Sequence, residues 1–340
     1  MRRQPRLSFF VDYAIGRPIA RRRVIGGLVA FSVLPSALAQ TTRVYRIGVL
    51  SQWVTRDYIA SRLEPALRQR GYEIGRSIVI DYRLAPNDPQ RLATLGAELV
   101  ATKVDVIIAP TNPDVLVAKR LTSSIPIVML FGLVPVEVGL VQSLAHPGGN
   151  VTGTTVQGPG FAGKFLELLR DTVPNLRRVA LMWEPDYSGI THYAEIVVTA
   201  ARSMGLELIR VPIRSPDDVD AAFSRLSVSR PDALFVSATG VIELQMAHVI
   251  ESAARLRLPA IYGSKSAVIS GGLMSYTANQ TELVSRHTAI VDRILKGARP
   301  ADIPVEEPTT FELVINLKTA RALGLVIPQD VLLRADEVIR

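Results

Sequence analysis

Arg178-Val179-Ala180-Leu181-Met182-Trp183 carries five apolar residues in a row with no polar alternation. A run this short and this apolar reads as a strand buried on both faces, as in a parallel sheet covered by helices. The unit repeats downstream. A helix at about 189–204 leads to Leu206-Glu207-Leu208-Ile209-Arg210-Val211, and a helix at about 216–228 leads to Asp232-Ala233-Leu234-Phe235-Val236-Ser237. A helix at about 241–256 then leads to Pro259-Ala260-Ile261-Tyr262. Upstream the pattern is the same. Tyr45-Arg46-Ile47-Gly48-Val49-Leu50, Ile78-Val79-Ile80-Asp81-Tyr82, Val104-Asp105-Val106-Ile107-Ile108-Ala109 and Pro126-Ile127-Val128-Met129-Leu130-Phe131 are separated by helices at about 57–70, 88–102 and 113–121. From first to fourth strand the upstream series spans about 79 residues (Ile47 to Pro126) and the downstream one about 80 (Val179 to Pro259). Two matched series argue for an α/β protein of two doubly wound parallel-sheet lobes rather than one wide sheet.

Three stretches suit passage between the lobes. Ala145-His146-Pro147-Gly148-Gly149-Asn150-Val151-Thr152-Gly153 is rich in Gly and Pro and ends in a β-branched run. Gly271-Gly272-Leu273-Met274-Ser275-Tyr276 precedes a helix at about 280–296 that returns to the first lobe, and Pro304-Val305-Glu306-Glu307-Pro308 leads to a short C-terminal element. The expected division is 44–151 plus 277–304 for lobe I and 152–276 plus 305–340 for lobe II. A three-segment hinge of this kind is stiff, with one dominant opening mode.

The 340 residues carry a formal charge of +8, which on its own suggests a nucleic-acid ligand. The charge is not distributed that way. Arg2, Arg3, Arg6, Arg17, Arg21, Arg22 and Arg23 lie in residues 1–39 with one acid, Asp12, so the remainder holds 32 basic and 30 acidic residues. The body is nearly neutral and its basic residues are scattered, which excludes a nucleic-acid footprint. The absence of cysteine excludes disulfides, thiol catalysis and an N-terminal lipid anchor.

Ala20-Arg21-Arg22-Arg23-Val24-Ile25-Gly26-Gly27 opens an apolar stretch to about Leu34, followed by Pro35-Ser36-Ala37-Leu38-Ala39-Gln40. Basic, apolar and small-residue regions in that order form a signal peptide over 1–39, with Ala37 and Ala39 as the A-x-A cleavage site. The apolar run of about 11 residues is too short to span a bilayer. The expectation is export to the periplasm by the general or the twin-arginine route, without stable membrane insertion or lipidation.

In open parallel sheets ligands bind outside the carboxyl ends of the strands. Ser51, Gln52 and Trp53 follow the first strand and suit a small polar molecule with a flat part; the alternative is that Trp53 packs the helix start and Ser51 or Thr55 caps it. Thr111 and Asn112 open a helix whose free N–H groups suit a carboxylate or phosphate, or they simply cap it. Phe131 ends the fourth strand, as cleft wall or as core. In the second lobe Tyr187 and Ser188 follow the first strand, with Glu184 and Asp186 beside them as partners for an amine or as solvated acids. Thr239 follows the third strand, and Tyr262 and Ser264 the fourth. His146, His192, His248 and His287 have no partner at metal-ligand spacing, and His248 and His287 read as surface or core-edge residues. G-x-G-x-x-G, G-x-x-x-x-G-K-[ST] and G-x-S-x-G are absent, so neither catalysis nor a cofactor is expected.

The chain also resembles the ABC-transporter substrate-binding family that includes tryptophan/tyrosine-binding receptors, of type I periplasmic-binding-protein fold. The resemblance lies in Gly139-Leu140-Val141-Gln142-Ser143-Leu144 through Pro147-Gly148-Gly149-Asn150-Val151-Thr152-Gly153, and in Gly271-Gly272-Leu273-Met274-Ser275-Tyr276. It continues in Ile294-Leu295-Lys296-Gly297-Ala298-Arg299-Pro300-Ala301-Asp302 and Phe311-Glu312-Leu313-Val314-Ile315-Asn316-Leu317-Lys318-Thr319-Ala320. It implies a monomeric receptor for an amino acid, an aromatic or another small carboxylate, serving an inner-membrane ABC permease with its ATPase. A ligand sensor signalling to a membrane kinase is the alternative. Many relatives carry an aspartate where Val134 precedes Pro135, and often a glycine where Thr277 follows Tyr276. An aspartate there would suit an α-amino group; its replacement counts against an ordinary amino-acid ligand.

Overall fold

The computed structural model describes residues 43–86, 88–156 and 160–340; the segment read as a signal peptide, 1–39, lies outside the described residues. The first series forms β1 (Tyr45–Ser51), α1 (Arg56–Gln69), β2 (Ile78–Leu84), α2 (Pro89–Ala101), β3 (Val106–Thr111), α3 (Asn112–Leu121), β4 (Ile127–Gly132) and β5 (Val151–Thr155). All five strands are parallel, in the order β2-β1-β3-β4-β5. Every residue of β3 is buried, as a strand covered on both faces requires.

The second series forms α4 (Phe161–Thr172), β6 (Arg178–Trp183), α5 (Ile190–Ser203), β7 (Glu207–Pro212), α6 (Asp218–Ser229), β8 (Ala233–Val236), α7 (Gly240–Leu244), α8 (Met246–Arg255), β9 (Ala260–Tyr262) and α9 (Lys265–Ile269). It continues with β10 (Met274–Ala278), and after α10 (Gln280–Leu295) come β11 (Phe311–Asn316), α11 (Leu317–Leu323), α12 (Gln329–Leu333) and β12 (Glu337–Ile339). The second sheet runs β12-β11-β10-β9-β8-β6-β7 and is parallel except where β10 meets β11. The continuous helix expected at 241–256 is instead two helices that meet at Gln245.

Both sheets reverse their winding at one place, between β1 and β3 and between β6 and β8. Such switch points leave a crevice at the carboxyl ends of the strands. Among the described residues the chain passes between the sheets three times. β5 belongs to the first sheet, so the first passage follows Thr155, not residue 151. Gly153 makes this pairing possible: its φ is +140°, and a Cβ would lie 2.0 Å from the Met129 carbonyl oxygen. The second passage follows Ala278, where β10 ends. The third follows Glu306, which exchanges backbone hydrogen bonds with Gly153 and Thr155 (2.9 and 3.0 Å) and so stays on the first sheet. Helix α10 lies on that sheet too, with Ile290, Val291 and Ile294 in one core with Ile47 and Val128. His287 of α10 is not at the surface or core edge: it is buried, with Nε2 2.7 Å from Thr154 Oγ1 and 2.9 Å from the Leu130 carbonyl. Burial holds its pKa down at about 3, so the ring is neutral.

Candidate functional site

The carboxyl ends of β1, β3 and β4 face those of β6, β8 and β9 across a cavity of about 520 Å³. Trp53 and Thr111 line it from either side of the first switch point, and Phe131 from the end of β4. Tyr187 and Thr239 line it from either side of the second, and Ser264 from the loop after β9. Six of the residues read from sequence therefore converge on one space.

The other five do not line it, and each has a structural task. Ser51 is fully buried; its Oγ donates to Asp114 Oδ2 (2.9 Å) and accepts from the backbone N–H of Trp53 and Val54, so it ties the loop that carries Trp53. The backbone N–H of Gln52 donates to Asp114 Oδ1 (3.0 Å). Asn112 bridges three loops: Oδ1 accepts from the Leu133 N–H (3.0 Å), and Nδ2 donates to the carbonyls of Leu133 (2.7 Å) and Ser188 (3.1 Å). Ser188 takes part through that carbonyl. Tyr262 is core, packed under Gly272, where a Cβ would lie 2.6 Å from its ring.

Asp114, unnoticed in the sequence, organises the first switch point. Its carboxylate also accepts from the backbone N–H and hydroxyl of Thr111 (3.2 and 2.7 Å). Complete burial pushes its pKa up to about 6, against these hydrogen bonds, which pull it down. Thr111 and Asp114 form a capping box at the start of α3, which is the N-capping alternative read from the sequence. Glu184 does the same for the second switch point. It accepts from the Val241 N–H (3.1 Å), and Gly240 has no room for a Cβ, which would lie 2.0 Å from the carboxylate. Desolvation raises Glu184 to about 7.

The walls are strongly aromatic. Tyr58 of α1 meets the Phe131 ring edge-on (6.5 Å between centroids), and Phe131 meets His287 likewise (5.8 Å). Across the cleft, Phe161 and Phe165 of α4 pack edge-to-face (4.9 Å), and Phe165 stacks on Phe235 of β8 (4.3 Å). Tyr193 of α5 completes this wall, and Arg62, Glu243 and Gln280 add polar groups. Trp53 Nε1, Tyr193 Oη and Gln280 Oε1 belong to lining residues and are buried with no hydrogen-bond partner. Burial raises the Tyr187 phenol, with Asp114 and Glu184 adding to the shift and the facing Thr111 hydroxyl opposing it. Sequence reading missed Tyr58, Arg62, Phe161, Phe165 and Tyr193 because they lie on helix faces, not in the strand-end loops. The i, i+4 spacing of Tyr58 with Arg62 and of Phe161 with Phe165 was the available signal.

Val134 sits at φ +42°, a conformation that a β-branched residue rarely adopts. Among the described residues no helix is long and apolar enough to cross a membrane.

Residues 50–339 match the sequence model of the family described as ABC transporter substrate binding protein. The chain is 30% identical over 260 residues to a "Tyrosine-binding protein" of Clostridioides difficile (strain R20291), covering 76% of this chain and 74% of that protein. It is similar to a Streptococcus pneumonia domain solved in complex with L-Trp, with a TM-score of 0.81, 28% identity and coverage of 87% of this chain and 100% of that one. It is also similar to the ligand-free, open structure of a Clostridium difficile substrate-binding protein with adhesive properties, with a TM-score of 0.66, 26% identity and coverage of 87% and 99%.

Proposed function

The chain belongs to the ABC transporter substrate-binding protein family, and we propose that it captures a small molecule with an aromatic body between its two sheets and delivers it to an ABC importer. The carrying observation is the cavity itself. Trp53, Tyr58 and Phe131 supply one wall and Phe161, Phe165, Tyr187, Tyr193 and Phe235 the other, so a flat apolar ligand is covered from both lobes. Apolar walls with a few placed polar groups are the usual make-up of small-molecule sites. The unpaired Trp53 Nε1, Tyr193 Oη and Gln280 Oε1 each carry a desolvation cost that a ligand hydrogen bond would offset, about 1–3 kcal/mol apiece.

Only a ligand that touches both lobes shifts the population toward a closed form. The better fit to the Trp-complexed relative than to the open, ligand-free one supports reading the described arrangement as closed. The names of two relatives support aromatic amino acids or their kin as ligands. The site residues we assign are Trp53, Thr111, Phe131, Tyr187, Thr239 and Ser264, joined by Tyr58, Phe165 and Tyr193.

The protein works as a monomer in the periplasm, free of lipid and exported on residues 1–39, and its partner is an inner-membrane permease with its ATPase. The arginine-rich leader and A-x-A site support export; the family supports the permease. A thermal-shift screen of amino acids, aromatic acids and small carboxylates tests the capture: a true ligand at 100 times its Kd stabilises the fold by about 2.7 kcal/mol. No stabilisation by any aromatic would contradict it.

A further inference from the structure

The ladder between β4 and β5 is irregular beside the cavity. Met129 pairs with Gly153 and Gly132 with Thr155, so Leu130 and Phe131 together stand opposite Thr154 alone. An extra residue of this kind bends its strand and re-aims a side chain. The bulge carries Phe131, which lines the cavity. Two buried side chains hold the bulge at the Leu130 carbonyl. Thr154 Oγ1 donates to it at 2.6 Å, and His287 Nε2 lies 2.9 Å from it and 2.7 Å from Thr154 Oγ1. A carbonyl only accepts, so Nε2 carries the hydrogen of this neutral ring. The ring also meets Phe131 edge-on, with 5.8 Å between centroids. His287 itself does not line the cavity. It belongs to α10, which follows the second passage between the sheets, and it grips the strand that precedes the first.

We infer that His287 is a positioning residue of the binding site: by donating to the Leu130 carbonyl it holds the β4 bulge, and so fixes Phe131 in the cavity wall. This role rests on the proposed capture of an aromatic body, and adds to it a side chain that touches no ligand. A wall held in its bound conformation binds more tightly, because less freedom is lost on capture. Removing the His287 donor leaves the Leu130 carbonyl with the Thr154 hydroxyl, so no buried acceptor is orphaned and the fold survives. What goes is the second restraint on the bulge. Phe131 is then free to leave the orientation in which it meets Tyr58 and the ligand.

The test is calorimetric titration of L-tryptophan and L-tyrosine into intact protein, His287→Phe and His287→Gln, and into Phe131→Leu with and without His287→Phe, each variant also being melted. His287→Phe keeps a ring but no donor, and should weaken binding about tenfold or more. His287→Gln keeps an N–H that reaches the same carbonyl, and should stay within about threefold of the parent. In the Phe131→Leu background His287→Phe should cost no further affinity, while its effect on melting temperature persists; a merely structural histidine would add its loss in both backgrounds. Unchanged affinity in His287→Phe, an equal loss in His287→Gln, or full additivity with Phe131→Leu overturns the positioning role and leaves aromatic capture standing. If His287→Phe does not fold, Thr154→Val removes the other donor and must weaken binding where Thr154→Ser does not; equal affinities there overturn the role as well. No binding of either amino acid by the intact protein overturns both.

Discussion

Asn112 and Ser188 stand on opposite sheets, and the Asn112 amide donates to the Ser188 carbonyl at 3.1 Å while holding both backbone groups of Leu133. One buried side chain thus couples the loop after β4 to the loop after β6. Asn112→Asp keeps the acceptor for the Leu133 N–H but turns a second oxygen toward two carbonyls. We expect it to weaken ligand binding at least tenfold by disfavouring closure, and to lower stability by about 1–3 kcal/mol. Titration calorimetry and chemical denaturation check the two effects; unchanged affinity would show that this contact does not report on closure.

Trp53 and Tyr187 line the cavity from the loops after β1 and β6. Truncating either to alanine should weaken ligand binding tenfold or more, about 1.4 kcal/mol, with folding intact. Fluorescence or calorimetric titration of each variant tests this, and unchanged affinity in both would move the site elsewhere.

Asp114 and Glu184 titrate late, at about 6 and about 7. The unfolded chain loses these protons at lower pH, so the folded state binds more protons in between. Their stabilising contribution is therefore complete below the ordinary carboxylate range and declines as pH rises through about 6 and about 7. His287 acts in the opposite sense. Its pKa of about 3 favours the folded state above the ordinary histidine range, and that support is withdrawn as the pH falls. Asp114→Asn should be less stable at every pH, because its amide meets the Thr111 N–H, yet it should fall less than the parent between about pH 4 and pH 7. Melting temperatures across that range decide it; parallel profiles would contradict the assignment.

Val134 holds a left-handed backbone with a β-branched side chain. Asparagine tolerates that region far better, so Val134→Asn should raise stability by about 1 kcal/mol despite losing partial packing against the core of the second lobe. A fall in the denaturation midpoint would mean that packing outweighs strain.

Strands such as β3 and β6 were legible because a strand covered on both faces is mostly apolar, whereas β5, Val-Thr-Gly-Thr-Thr, is fully buried without an apolar run to mark it. The lobe boundaries were less legible. Glycine and proline mark where a chain can turn, but the pairing of β5 and Glu306 with the first sheet depends on Gly153 meeting Met129, a contact between distant residues. Polar residues at strand ends were ambiguous in kind. Thr111 faces the cavity and its neighbour Asn112 faces the loops, and one residue of phase decides which. Tyr262 shows the same for aromatics, since it turns into the core while Tyr187 turns into the cleft. Tyr58 and Phe165 lay outside the strand-end loops altogether, and only the folded chain brings their helix faces to the cavity.

Titration calorimetry of the purified protein with L-tryptophan and L-tyrosine at several temperatures tests the central claim most directly. Capture between two aromatic walls predicts saturable one-to-one binding with a negative heat-capacity change, and loss of that binding in the Trp53→Ala, Tyr187→Ala double variant. Absence of saturable heat for these and every other aromatic ligand in the screen, or binding that the double variant retains in full, would contradict it.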